Sequence, residues 1–344
     1  MFRINFNKDA DNNLNISFNG EFIDDHQKLF NRFVDIYEIE DLIFEPDRKG
    51  KMKPKNERVC RFCDKRMPEV AFKKDAHVMP ELMGNRNLVS DFECDVCNHF
   101  FSKYEDELAR FMGLSRTLSF MRGKEGLPKF KTPDKNLIVG KDEESSDPQR
   151  IQLVSIGQEN NHFEIDKDKK TLTVNSVKHP YTPIKVFKAL LKVALSLVEN
   201  SELVNYPKAF KILMSDEYDD KIKGLPVLRL FVWVCPGVPF PSPLVFLCNK
   251  KESKKETNAA SKTMILYFQN YIYQIFIPFD ENDKWLYQKG GEITFPIMPP
   301  FLDKTWIDNF GKPKFFNLDL SSSELKKNEK QIISMSFDNV KFDL

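Results

Sequence analysis

Four of the six cysteines in the chain come as two CxxC pairs, Cys60/Cys63 and Cys94/Cys97, with thirty residues between the pairs. Two such knuckles can supply four thiolates to one tetrahedral ion, the donor set of a structural zinc site. A closed four-thiolate site leaves no open coordination position, so its metal would hold structure and do no chemistry. It would pin a loop whose own core is too small to fold alone. A dithiol redox pair is the competing use, and it predicts labile thiols and no bound zinc. Cys235 and Cys248 stand alone in apolar surroundings and read as buried, inert residues.

The pinned loop carries candidate chemistry of its own. In FKKDAHVMPELMGNRNLVSDFEC, His77 follows a strand-like VAF, and in ECDVCNHFF, Asn98 directly follows Cys97. An imidazole titrates near neutrality and can take a proton from water at working pH. An amide oxygen suits a hard cation such as Mg2+ or Mn2+. Residues 98–121 read as a helix. On it Asn98, Ser102 and Glu105 share one face, beside an apolar stripe of Phe101, Tyr104, Leu108 and Phe111. Plain structural roles compete with each chemical one: a satisfied core histidine for His77, a helix N-cap for Asn98, and a solvated acid for Glu105. Turn chemistry competes at Asn87, with Asn85 as its rival.

The order His77, Asn87, Asn98, interleaved with two CxxC pairs, resembles the HNH nuclease family. The match is closest to the branch whose signature reads AH-[IV]-[IMV]-P-E-x-[LM]-G before a second CxxCN-xx-F, and it covers about residues 58–111. The resemblance implies a ββα-metal fold and a metal-dependent endonuclease hydrolysing phosphodiester bonds of nucleic acid, with DNA ahead of RNA. It makes His77 the base that activates water, Asn87 the asparagine that ties the loop and orients the base, and Asn98 a ligand of a catalytic Mg2+ or Mn2+. One position departs from the pattern. Many family members carry an acid immediately before the base; here Ala76 stands there and Asp75 one residue earlier. The catalytic ligands are then Asn98 with Asp75, Ser102, Glu105, His99 or water. Ala76 also favours a different class, a zinc-stapled module that binds nucleic acid or protein and does not hydrolyse.

The elements that must position these residues can be read around them. The chain has 344 residues and 41% hydrophobic content, enough for two compact domains or one domain with a sizeable appendage. A formal charge of +1 excludes a globally basic nucleic-acid binder, so any basic surface is local. The run 51–74, with nine Lys/Arg against Glu57, Asp64 and Glu69 and extended by Arg86, Lys103 and Arg110, reads either as such a phosphate-contacting surface or as a solvated face. RINF and LNISF read as a hairpin, HQKLFNRFVDIYEIE as a helix, and residues 182–200 as a strong helix with Pro183 in its first turn. VLRLFVWV, PLVFLC, MILYFQ and IYQIFIPF read as strands, and residues 249–262 as a charged connection. His162 and His179 read as surface or loop positions.

The expected fold class is α+β, a small zinc-stapled ββα-metal module followed by a larger mixed α/β C-terminal domain. The expected division is an N-terminal hairpin and helix extension at 1–50, the nuclease module at 51–125, a linker at 126–150 and an α+β domain at 151–344. The resemblance implies that the last of these targets, assembles or regulates, and many such fusions serve bacterial defence. It leaves room for a homo-oligomer and for a regulatory ligand or partner protein. No apolar run is long enough for a membrane span and the start has no signal-peptide core, so no membrane partner is expected and the location is read as cytoplasmic.

Overall fold

The protein is described here by a computed structural model for residues 3–8, 14–19, 24–43, 52–123, 126–147, 150–156, 162–287 and 293–336. The chain opens with β1 (Arg3–Lys8) and β2 (Leu14–Asn19), an antiparallel hairpin as expected, followed by α1 (Asp24–Ile36) and β3 (Tyr37–Ile43). The segment YEIE, expected to close the helix, belongs to β3. It pairs with a distant strand, and that ladder outweighs the local helical pattern.

The metal module comes next. A short antiparallel pair, β4 (Ala76–His77) and β5 (Val89–Ser90), leads into α2 (Asp95–Met112) and the single turn α3 (Ser115–Leu118). This is the expected ββα order, with the helix shifted. It starts at Asp95 rather than 98 because Cys94 is its N-cap, the sulfur accepting from the Cys97 N–H at 3.5 Å. It ends at Gly113, whose positive φ of 57° suits a residue without Cβ.

β6 (Phe130–Lys131), β7 (Leu137–Lys141) and β8 (Ile151–Ser155) then form a three-stranded sheet. The segment 126–150, expected as a linker, therefore supplies strands. Residues 142–147 of its acidic, turn-rich stretch follow β7 directly, since hairpin turns and linkers share a composition. β9 (Phe163–Asp166) and β10 (Thr171–Val177) follow, then α4 (Pro183–Leu197), α5 (Pro207–Met214) and the long strands β11 (Arg229–Val234), β12 (Phe240–Lys250), β13 (Lys262–Gln269) and β14 (Tyr271–Phe276). α6 (Lys304–Phe310), β15 (Lys314–Asp319) and β16 (Lys330–Ser336) complete the order.

The main sheet is antiparallel, in the order β15-β11-β14-β13-β12-β3. The N-terminal strand β3 is thus an edge of the C-terminal sheet, and the metal module is inserted between β3 and its sheet partners. Both sheet faces are covered. Leu230, Val232, Leu247, Leu266 and Ile275 meet α4 on one side; Phe231, Trp233, Phe246 and Phe276 meet α1 and the segment around Met298 on the other. Burial on both faces explains the nearly unbroken apolar runs of these strands. Among the described residues no helix is long and apolar enough to cross a membrane.

Helix α4 joins the module to the sheet. Its apolar surface is almost wholly buried, and the stripe of Phe101, Tyr104, Leu108 and Phe111 on α2 lies in the same core. The module also holds both ends of α4. Glu107 of α2 accepts from the Thr182 N–H at 2.7 Å, satisfying a donor at the helix start. Arg61, inside the first knuckle, donates to the carbonyls of Leu195, Ser196 and Val198 at 2.8, 2.9 and 3.0 Å, while its guanidinium lies 4.0 Å from the Phe92 ring centroid. A cation at a helix C-terminus is favoured both by the dipole and by the open carbonyls. Arg61→Met is expected to cost about 2–4 kcal/mol, since it strands several charge-assisted acceptors. Urea unfolding checks this, with zinc content retained.

Candidate active site and metal centre

The first knuckle is shaped by the backbone. Cys60 N–H donates to Lys65 O and Asp64 N–H to Cys60 O, both at 2.8 Å, and Asp64 takes a positive φ of 58° to close the turn. The second knuckle is the start of α2. The four sulfur atoms lie within 4.8 Å of one another, and Cys63 to Cys94 is 3.9 Å. A tetrahedron with zinc–sulfur bonds of about 2.3 Å has edges of about 3.8 Å, so the cluster has the right size for a metal ion. Its electrostatics ask for one. The hydrogen bond from Cys97 draws the Cys60 thiol down to about 5, while burial pushes Cys63 up to about 11 and the bond to Cys60 drives Cys97 far above the thiol range. A dication among the sulfurs removes that conflict.

His77 stands on β4, opposite Val89, with its side chain half-buried between core and solvent. Its Nε2 lies 3.2 Å from Oε1 of Glu81, the acid of the HVMPE sequence. Its backbone carbonyl accepts from the ammonium of Lys192 on α4. Lys192 in turn lies 2.9 Å from Glu93, and neither side chain is more than 2% exposed. The surroundings are acidic. Burial raises the Glu93 carboxyl, against the pull of Lys192. Burial also raises Glu105 to about 6; Lys192 opposes this, and the charges of Glu93, Asp106 and Glu81 add to it.

The expected loop-tying asparagine is Asn85, not Asn87. Asn85 is fully buried; its amide donates to Met79 O and Leu88 O at 2.6 and 3.0 Å, and its carbonyl oxygen accepts from the N–H groups of Asn87 and Leu88. The Asn87 side chain faces solvent. Spacing could not separate the two, because both flank Arg86 and both are turn residues. Asn98 is half-buried on the first turn of α2, its N–H bonded to Cys94 O at 2.9 Å. Cys94 takes the cap, so capping does not account for Asn98.

The other expected ligands are not gathered. Asp75 is exposed; Ser102 is exposed and donates its hydroxyl to His99 O at 2.7 Å, and His99 is exposed. Among the described residues, the four cysteines form the only group of three or more His, Cys, Asp or Glu ligand atoms close enough to share an ion. Mg2+ is commonly held by one or two protein oxygens, with water and substrate phosphates completing its shell, so three gathered ligands are not required. Of the expected set, Asn98 and Glu105 are the α2 residues whose side chains are partly buried.

Glu81, Glu93 and Lys192 were missed as contributors. Glu81 had a signal, four residues after His77 in the quoted motif. Lys192 had a faint one, since Lys188 and Lys192 interrupt an apolar helix at i, i+4.

Metal analysis of the purified chain should find one zinc per molecule, lost together with cooperative unfolding in Cys60→Ser/Cys97→Ser. Asn85→Ala should cost about 2–4 kcal/mol by urea unfolding, because it orphans several buried backbone groups. Asn87→Ala should stay within about 0.5 kcal/mol, as expected for an exposed side chain.

No curated protein and no solved structure matches this chain. Residues 60–112, which run from the first knuckle through His77 to the end of α2, match the family model of the HNH endonucleases.

Proposed function

We propose that the protein is a metal-dependent HNH endonuclease that hydrolyses phosphodiester bonds of nucleic acid, DNA ahead of RNA, with His77 as the general base. The observation that carries this reading is the His77–Glu81 contact at 3.2 Å, on a strand held to the zinc-stapled helix. The Glu81 carboxylate beside Nε2 orients the ring and stabilises the imidazolium that forms when His77 takes a proton. His77 then takes the proton of the attacking water, a role worth about 10²- to 10⁴-fold in rate. Bound Mg2+ or Mn2+ supplies positive charge at the scissile phosphate. Asn98 and Glu105 are the residues assigned to hold it. Exposed Lys73 and Lys74, just ahead of β4, are suited to contact phosphates and would give affinity without sequence choice.

One observation favours the second reading, a zinc-stapled binding module without hydrolysis: Ala76 precedes the histidine, and the acids near it do not form a three-ligand cluster. A plasmid assay separates the two. Wild type with Mg2+ or Mn2+ should nick or linearise DNA, and His77→Ala with its zinc intact should lose at least about 100-fold in rate. DNA binding without cutting under any divalent cation would establish the binding module instead. Cutting by His77→Ala at the wild-type rate would remove His77 from the mechanism.

A further inference from the structure

We propose that Lys192 is a positioning residue for the HNH site, supplied from α4 outside the HNH segment, and that it sets the height of His77 through the backbone carbonyl. The proposal rests on the reading of His77 as the base. The strand that carries His77 is only two residues long, paired at Ala76–Ser90 and His77–Val89. So short a ladder fixes register weakly by itself. Lys192 adds a third point of attachment. Its ammonium donates to His77 O and lies 2.9 Å from Glu93, the residue immediately before Cys94. One buried cation thus spans the base strand and the second zinc knuckle.

The residue type argues for a purpose beyond filling space. Burying a lysine and a glutamate costs desolvation that an apolar pair of the same volume would avoid. An apolar side chain of similar volume at this point of α4, with a neutral residue at position 93, would keep the core and lose the link to His77 and Glu93 together with the 5.9 Å approach to the Phe101 ring. Lys188, one turn earlier, shows the contrast. It donates to Ser215 O and lies 5.4 Å from the Tyr104 ring centroid, so it serves the contact between helices and does not reach the base strand.

The test uses the full chain and the double variant Lys192→Met/Glu93→Gln, which removes both charges and leaves no lone buried ion. Glu93→Gln alone is the companion, because it keeps the lysine that donates to His77 O. The readouts are zinc content, thermal melting, KM and kcat on plasmid DNA with Mn2+, and the histidine ring NMR resonance that His77→Ala abolishes. The expected result is a folded, zinc-loaded double variant with KM within about twofold and kcat lowered about 10- to 100-fold, the size of effect an ångström-scale misplacement produces. Its His77 ring resonance moves, whereas Glu93→Gln keeps both kcat and that resonance near wild type. A folded double variant with wild-type kcat and an unmoved resonance overturns the proposal. So does Glu93→Gln losing as much as the double. If the double variant does not fold, Lys192→Gln/Glu93→Gln, neutral at both positions and without the ammonium that reaches His77 O, takes its place under the same readouts. If wild type cuts nothing with any cation, the nuclease reading fails separately, and the movement of the His77 resonance alone decides the positioning role.

Discussion

Four sulfur atoms within 4.8 Å of one another cannot all ionise without a cation between them, and the geometry of the site follows from that constraint. The knuckle that brings Cys94 and Cys97 into the cluster is also the first turn of α2, with the Cys94 sulfur as the helix cap. Fixing those thiolates therefore fixes where α2 begins, and with it the direction in which Asn98 and Glu105 leave the helix. The same turn reaches back to the base strand. Asp95 accepts from the N–H groups of Lys73 and Lys74 at about 3 Å and donates its own N–H to Ala71 O, so the approach to β4 is tied to the helix start. His77 sits three residues beyond that tie. The cysteine cluster thus sets where α2 begins relative to the strand that carries His77.

A module this small cannot close its own core, and here it does not try to. The apolar stripe of α2 continues into the buried surface of α4 and the main sheet as a single cluster. At the polar points of this junction each charge answers a specific deficit: Glu107 an open donor, Arg61 three open carbonyls, Lys192 a carboxylate and the His77 carbonyl. Removing one partner of a buried pair such as Lys192–Glu93 costs about 3–5 kcal/mol, mostly through the charge left behind. These contacts orient one half of the chain on the other more sharply than apolar packing would, because hydrogen bonds to helix termini tolerate little sliding.

How much of this could be read from the sequence follows from the range of the forces involved. The ligand set Cys60, Cys63, Cys94 and Cys97 was legible because ligand spacing is local to each knuckle. The long strands and α4 were legible because their apolar runs are dense enough to outvote context. The tie between β3 and β12 was not, since nothing in YEIE names a partner two hundred residues away. The choice of Asn85 over Asn87 was decided by which side chain the turn points inward, a property of backbone geometry and not of residue type. Lys192 was hidden for a further reason: a lysine in an amphipathic helix is ordinarily solvated, and only the fold shows that this one ends beneath His77.

The same accounting changes the meaning of the basic run at 51–74. Arg58 is buried and donates to Lys53 O at 2.9 Å; Arg61 is committed to α4; Lys103 pairs with Asp216 and lies over the Phe100 ring. Part of the positive charge that a composition count assigns to a nucleic-acid surface is thus committed to contacts within the protein. What remains exposed includes Lys65, Arg66, Lys73 and Lys74, close to the first knuckle and the base strand. On the proposed reading, a backbone phosphate drawn to Lys73 or Lys74 would arrive next to the strand that carries His77. Contacts of this kind position a substrate without reading its sequence. On the proposed reading, any choice of target then falls to surfaces outside the module, on the domain into which it is inserted.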